Sequence, residues 1–216
     1  MAARKKVLVF GAGGHATVVV DAIERGRRWA PLGLIDDDPK RTGERVAGYR
    51  ILGTRAALGS LRRRAKLAIV AVGDNRARLE IARLLRSHGF ELATIIHPAA
   101  TVAPGAKLGA GSVVLAGAVV NAAAVLGENV IINTAASVDH DCVLGDGVHI
   151  APGAHLAGWV RVGRLALVGI GASVIGRIRI GEGAIVGVGA AVIADVPDNV
   201  TVGGVPARVL TSSKTT

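Results

Sequence analysis

The chain has 216 residues, 50% of them hydrophobic, with a formal net charge of +10, one cysteine and only two Phe, two Trp and one Tyr. Cys142 stands alone, which excludes an intramolecular disulfide, and the apolar run after the basic N-terminus is too short for a signal peptide or a membrane span. A cytoplasmic protein without membrane insertion is expected, and the scarcity of aromatic residues among the basic ones argues against nucleic-acid binding.

The charge is concentrated at one end. Residues 1–100 hold 19 Lys and Arg against 9 Asp and Glu, whereas residues 101–216 hold 7 against 7. Residues 7–10 read as a buried strand, followed by Gly11-Ala-Gly-Gly-His-Ala16 and a helix over 17–25. A second strand over 32–35 runs into Asp36-Asp37-Asp38-Pro39. A helix is expected over 55–64, with Arg62-Arg63-Arg64 on its solvated face, then a strand over 67–72 and the turn Gly73-Asp74-Asn75. The stretch 76–87 is amphipathic, with Ile81, Leu84 and Leu85 on one face, and Gly89 stops it. Strands alternating with helices imply a small Rossmann-like parallel sheet over residues 1–98, with ligands beyond the carboxyl ends of its strands. Gly11, Gly13, Gly14, Asp36, Asp37 and Gly73 all fall at such ends.

Gly11-x-Gly13-x-x-Ala16 fits a dinucleotide fingerprint formally, but the domain is too short for the six-stranded dinucleotide fold and no hydride-transfer domain follows. A nucleotide diphosphate is the better ligand: glycines admit a phosphate to the backbone, and the helix start supplies free N–H groups. His15 would donate to a phosphate, and Asp36 or Asp37 would accept from a base or ribose. A glycine turn that serves only helix–strand packing accounts for the same residues.

The second half follows another rule. From Val102 through Val120, Val138, Leu156 and Val174 to Val192, an aliphatic residue recurs at every sixth position, and a small or aliphatic residue sits four places after each. A period of six fits neither a helix nor a plain strand; it is the hexapeptide signature of a parallel β-helix over residues 99–216. Three hexads close one triangular coil, so the sixteen hexads give about five coils and a column roughly 25 Å tall.

The hexad Val138-Asp-His-Asp-Cys-Val143 carries the most unusual residues of the column and is the candidate for its chemistry; a solvated His in a polar turn accounts for the same residues. Val138 and Cys142 take the two inward positions, which leaves His140 and Asp141 on the outward turn and makes Cys142 a small buried hydrophobe. An imidazole beside a carboxylate is what general-base catalysis requires. Asn133 in the preceding hexad and His149 and His155 in the next two extend a polar cluster over successive strands. The histidine spacings lack a tetrahedral metal pattern, so no metal is expected.

Gly11-Ala-Gly-Gly-His-Ala16, Ile35-Asp-Asp37, Ala71-Val-Gly-Asp-Asn75, Ile95-Ile-His-Pro98, Asn133-Thr134, Val138-Asp-His-Asp141 and Gly204-Val-Pro-Ala-Arg208 resemble, in that order, the sugar acyltransferases of the left-handed β-helix superfamily. The chain is most similar to bacterial nucleotide-aminosugar N-acetyltransferases of the bacillosamine and perosamine pathways and to sialic acid O-acetyltransferases. The resemblance implies a left-handed column, a homotrimer with active sites between subunits, acetyl-CoA as co-substrate and a nucleotide-diphospho-aminosugar as acceptor. It implies that Gly13, Gly14, His15, Asp36, Asp37 and Gly73 meet the sugar nucleotide. It further implies His140 as general base with Asp141 behind it, His149, Ile170 and Val188 at acetyl-CoA, and Pro206 to Arg208 near the pantetheine. Two positions depart from the pattern. Asp141 stands where bacillosamine enzymes carry Glu, so its carboxylate is expected to reach less far, and Val188 replaces a Gly. The implied activity is N-acetylation of an amino-deoxysugar at C4 for polysaccharide biosynthesis. O-acetylation of sialic acid, a non-enzymatic nucleotide-binding scaffold and an NAD-dependent oxidoreductase are the alternatives.

Overall fold

The computed structural model describes residues 4–212, and the chain divides into two compact units, Met1–Pro98 and Ala99–Thr216. The first runs β1 (Lys5–Phe10), α1 (Gly14–Gly26), β2 (Trp29–Ile35), β3 (Arg45–Val46), β4 (Tyr49–Arg50), α2 (Leu58–Leu61), β5 (Leu67–Val70), α3 (Asn75–Ser87), β6 (Glu91–Leu92) and β7 (Ile95–Ile96). Val7, Leu8, Val9 and Phe10 are all buried, as a strand covered on both faces requires. β1 pairs in parallel with β2 and β5, and β6 completes the sheet in the order β2-β1-β5-β6. The chain crosses from one side of β1 to the other between β2 and β5. That reversal opens a crevice at the carboxyl ends of β1 and β5, where doubly wound sheets hold their ligands.

Several boundaries move. α1 begins at Gly14, ahead of the expected start at Thr17, with Gly13 as its N-cap. The helix expected over 55–64 shrinks to a 3-10 turn at Arg55–Ala57 and the single turn α2, because only Leu58 and Leu61 are buried. Arg62, Arg63 and Arg64 therefore lie in the turn after α2 and not on a helix face; Arg62 Nε donates to the Gly89 carbonyl at 2.7 Å. The strand expected to reach residue 72 ends at Val70. The β3–β4 hairpin and the short strands β6 and β7 had no sequence signal.

The second unit is a left-handed parallel β-helix. Its short strands recur from Thr101–Val102 to Ala191–Val192, each pairing with the strand three hexads on, as in Val120↔Val138↔Leu156↔Val174↔Val192. The second residue of each strand points inward and packs with the small residue that closes the same hexad, so Val138, Cys142, Leu144 and Val148 belong to one continuous core. The column has about 6 turns where the hexad count gave five. The additional coil is closed by Val196 and Val202, which pair with Ile180 and Val186. Both pairings fall short of three full hexads, so the period is lost just before this coil. Val200–Gly203 then pairs antiparallel with Arg208–Ser212.

One corner of the column is built on glycine. A Cβ added at Gly109, Gly127, Gly145, Gly163 or Gly181 would stand within 2.3–2.7 Å of an atom in the next coil's turn. Side chains are thus excluded from this position in each of these five coils. Gly163→Ala, which drives a methyl to 2.4 Å from the Glu182 backbone nitrogen, should cost about 3 kcal/mol, the upper range for overpacking. Gly171→Ala meets no atom within 4 Å and only has to hold its φ of +66°, which should cost about 1 kcal/mol. Thermal unfolding of the two variants checks the order: Gly163→Ala must melt well below Gly171→Ala.

Candidate active site

In the first unit, a cavity of about 450 Å³ opens at the carboxyl ends of the strands, lined by Gly11 to His15, Asp36, Asp37 and Ala71 to Gly73 among others. The glycines here do two different jobs. Gly11 has φ +115° and a Cβ would stand 2.6 Å from the Ala71 carbonyl oxygen, so it serves the close approach of β1 to β5. Gly13, Gly14 and Gly73 meet no protein atom within 4 Å. Packing of the chain does not demand them, and they leave bare backbone facing the cavity. Gly13 caps α1 without a side chain and no acid stands in the first turn, so the helix start keeps its N–H groups and partial positive charge for an anion.

The aspartates are already engaged. Asp36 Oδ2 accepts from Arg41 Nη1 at 2.7 Å, and Arg41 Nη2 donates to the Ala12 carbonyl at 3.2 Å, bracing the glycine loop. Asp37 forms a two-point pair with Arg55, whose hydrogen bonds hold the carboxyl below its usual range. Arg78, on α3, is almost fully buried; its guanidinium donates to the carbonyls of Val72 and Gly73 and to Asn75 Oδ1, at 3.2, 2.9 and 2.8 Å. Burial lowers its pKa to about 10, so it remains a cation at neutral pH behind the Gly73 turn. Burial, and secondarily this cation, push His15 down to about 4. His15 is therefore a neutral donor and not a cationic clamp.

In the second unit, His140 and Asp141 occupy the turn between Ser137–Val138 and Val143–Leu144. Asp141 adopts φ 59° and its Oδ2 lies 2.9 Å from His140 Nδ1. The shorter aspartate thus reaches the ring, because the left-handed turn brings it back. With the Nδ1 proton donated to Asp141, Nε2 presents its lone pair outward. Asp139 Oδ1 fixes the turn, accepting from the His140 backbone N–H at 3.0 Å and from Asn121 Nδ2 at 2.8 Å. One coil on, Gly158 leaves room for the ring: a Cβ there would stand 2.6 Å from His140 Cε1. Trp159 sets its ring perpendicular to the imidazole with centroids 4.4 Å apart, and the Arg177 guanidinium lies 4.5 Å from the Trp159 ring centroid. Cys142 is buried, its thiol donates to the Ala157 carbonyl at 3.2 Å, and burial raises its pKa, so it is no nucleophile.

The outward polar groups expected near His140 meet in pairs. Asn133 Nδ2 meets His149 Nε2 at 3.0 Å, and Ser137 Oγ meets His155 Nδ1 at 2.8 Å, but Asn133 lies at the preceding corner of its coil and His149 and His155 point out from the flat faces. Each hexad turns the chain onto the next face, so the outward groups that meet are those stacked one coil apart, as Ser137 and His155 are. Ile170 and Val188 share one corner in successive coils and are exposed, Val188 by 74%. Arg78, Gly158, Trp159 and Arg177 escaped the sequence reading. Counting three hexads on from His140 and Asp141 would have found Gly158 and Trp159, and the same step again Arg177. Arg78 sits one turn before Ile81 on the apolar face of α3, a buried cation written into the helical period.

Residues 6–85 match the family model of the PglD N-terminal domain, and residues 123–158 match the bacterial transferase hexapeptide (six repeats). Over 111 residues the chain is 41% identical to the UDP-N-acetylbacillosamine N-acetyltransferase of Bacillus subtilis (strain 168), a stretch covering 50% of this chain and 50% of that protein. The acetyltransferase domain of PglB from Neisseria gonorrhoeae FA1090, solved in complex with acetyl coenzyme A, is 44% identical with a TM-score of 0.91, over 96% of this chain and 100% of that one. PerB from Caulobacter crescentus, solved with CoA and GDP-perosamine, is 42% identical with a TM-score of 0.92, over 97% of this chain and 99% of that one.

The neutral state of His15 has a measurable signature. Its folded pKa of about 4 lies below the 6.5 of an ordinary imidazole, so the unfolded chain takes up this proton first. The stability contributed is complete above about pH 6.5 and is lost as pH falls toward 4. His15→Gln should flatten that part of the stability profile, and the wild-type imidazole should stay neutral to about pH 4 in an NMR titration.

Proposed function

This chain belongs to the family of hexapeptide-repeat N-acetyltransferases with a PglD-type N-terminal domain, and on that premise we propose that it moves acetyl from acetyl-CoA to the C4 amino group of a nucleotide-linked amino-deoxysugar. One observation carries the reading: the His140–Asp141 pair, with Nε2 presented outward, stands on a column whose nearly full-length relatives were solved with acetyl coenzyme A and with CoA and GDP-perosamine. Gly13 and Gly14 take the diphosphate on backbone N–H groups and His15 on a neutral imidazole, with Gly73 leaving room beside them. Asp36 and Asp37, held by Arg41 and Arg55, border the ribose and base.

The amine nitrogen attacks the thioester carbonyl, and a C–N bond forms while its proton passes to His140 Nε2. Asp141 keeps Nδ1–H in place and offsets the imidazolium charge. The C–S bond then breaks, and the imidazolium returns the proton to the departing sulfur, so CoA leaves as a thiol. No covalent enzyme intermediate is required. Ile170 and Val188, apolar and exposed in a single chain, face acetyl-CoA with His149 in a homotrimer whose neighbouring columns enclose it; Pro206 to Arg208 lie near the pantetheine.

The deciding experiment is a thiol-release assay with UDP-, GDP- and dTDP-linked 4-amino-sugars, with product analysis for an amide; turnover of none of them abandons the proposal, and an ester product reassigns it to O-acetylation. His140→Ala should lower kcat on the order of 10²–10⁴-fold with folding unchanged, and Asp141→Asn should cost less. Near-normal kcat in His140→Ala at every pH would show that the enzyme only positions an already neutral amine. His15→Ala should raise KM for the sugar nucleotide and leave that for acetyl-CoA unchanged.

A further inference from the structure

Three successive coils place Asp141, Trp159 and Arg177 at equivalent corner positions, each with positive φ: 59°, 59° and 66°. Most other such positions in the column are glycine, alanine or asparagine, which tolerate or suit this backbone. Here two bulky residues in a row accept it. Folding of the column does not ask for them, since each inward position is filled by other residues and both side chains point outward, Trp159 being 47% exposed. What they do is touch each other and His140. The Arg177 guanidinium covers the indole at 4.5 Å, and the indole stands perpendicular to the imidazole at 4.4 Å. The corner backbone joins them as well: Trp159 N–H donates to the His140 carbonyl at 3.1 Å and Arg177 N–H to the Gly158 carbonyl at 3.0 Å.

We propose that Trp159 is a positioning residue for His140, with Arg177 as the clamp that holds the indole in place. The inference rests on the reading of His140 as general base. A histidine on an open corner has two soft torsions, and the single hydrogen bond to Asp141 leaves its ring free to swing about that contact. Gly158 gives space beneath the ring but restrains nothing. The indole supplies the missing wall: it fixes the ring plane in which Nδ1 meets Asp141 and Nε2 faces outward. Arg177 restrains the indole in turn, as a cation over its face. No side-chain acid pairs with Arg177 among the described residues, so its placement answers to the indole and not to a salt bridge.

The test is a kinetic cycle with an NMR readout. Trp159→Ala should lower kcat about 10- to 10²-fold, the range expected when a catalytic group loses its alignment, with KM for both substrates unchanged. Trp159→Phe should recover most of that loss, because a ring edge is restored, and Arg177→Ala should give a smaller fall of the same kind. In the His140→Ala background, Trp159→Ala should add nothing. The His140 Cε1 proton, shifted by the indole ring current, should move toward its free-histidine position in Trp159→Ala. A rise in KM with kcat intact would make Trp159 a substrate platform and overturn the proposal, as would a full additional loss in the double variant or an unmoved Cε1 resonance. Full activity of His140→Ala alone would instead sink the general-base reading; the Cε1 shift then still decides whether Trp159 restrains the ring. Should Trp159→Ala melt early, Trp159→Phe and Arg177→Ala, judged at matched folded fractions, carry the same comparison.

Discussion

Coil-on-coil hydrogen bonding in a register of three hexads is the constraint from which the second unit follows. Each strand pairs with the one a full coil on, so a side chain answers to its equivalents in the coils before and after as much as to its chain neighbours. That register puts aliphatic side chains on one axis, reduces one corner to glycine because the next turn passes too near, and stacks His140 over Gly158. The inside of such a column has little freedom: it accepts Val, Leu, Ile, Ala, one buried Cys and Ser112, whose hydroxyl is satisfied by the Gly127 carbonyl and the Val130 N–H. Variety is confined to the outward positions and the corners not held to glycine, where a change does not disturb the stack. A fold so restricted inside is free to carry chemistry outside.

The two units reach their polar groups by opposite means. In the α/β unit, backbone does the presenting: Gly13, Gly14 and Gly73 offer peptide groups to a cavity, while charged side chains act from behind as braces. Arg78 is spent on two carbonyls and an asparagine oxygen, and Arg41 ties Asp36 to the glycine loop. In the β-helix the side chains themselves are presented, on turns whose left-handed backbone throws them outward. The excess positive charge of residues 1–100 therefore says little about the cavity, whose lining is mostly uncharged and whose two bordering acids are already paired.

Much of this was legible in the sequence because the determining patterns are local or periodic. The hexad repeat announces the column, and the inward positions of Val138 and Cys142 fix by subtraction that His140 and Asp141 point out. The glycine loop announces a ligand-facing strand end. What could not be read was whatever depends on register in three dimensions. Which outward groups meet depends on the triangular coil: Asn133 meets His149 and Ser137 meets His155. The last coil was missed because its pairings, Ile180↔Val196 and Val186↔Val202, fall short of the three-hexad step. In the first unit, the expected helix over 55–64 failed because propensity without burial does not sustain more than a turn, and the strands β6 and β7 are too short to show alternation.

A column of stacked parallel strands has a weakness at its end, where the final coil exposes a row of unpaired peptide groups that another chain could extend. Here the hydrogen-bonding edge of Val200–Gly203 is taken up by Arg208–Ser212 running in the opposite direction. An antiparallel partner cannot serve as the next rung of a parallel stack, and the shortened spacing that precedes it sets the last coil out of step with any incoming hexad. The C-terminal hairpin is therefore also a terminator on that face: it brings the repeat to a definite length and denies a second molecule the template on which a fibre would grow.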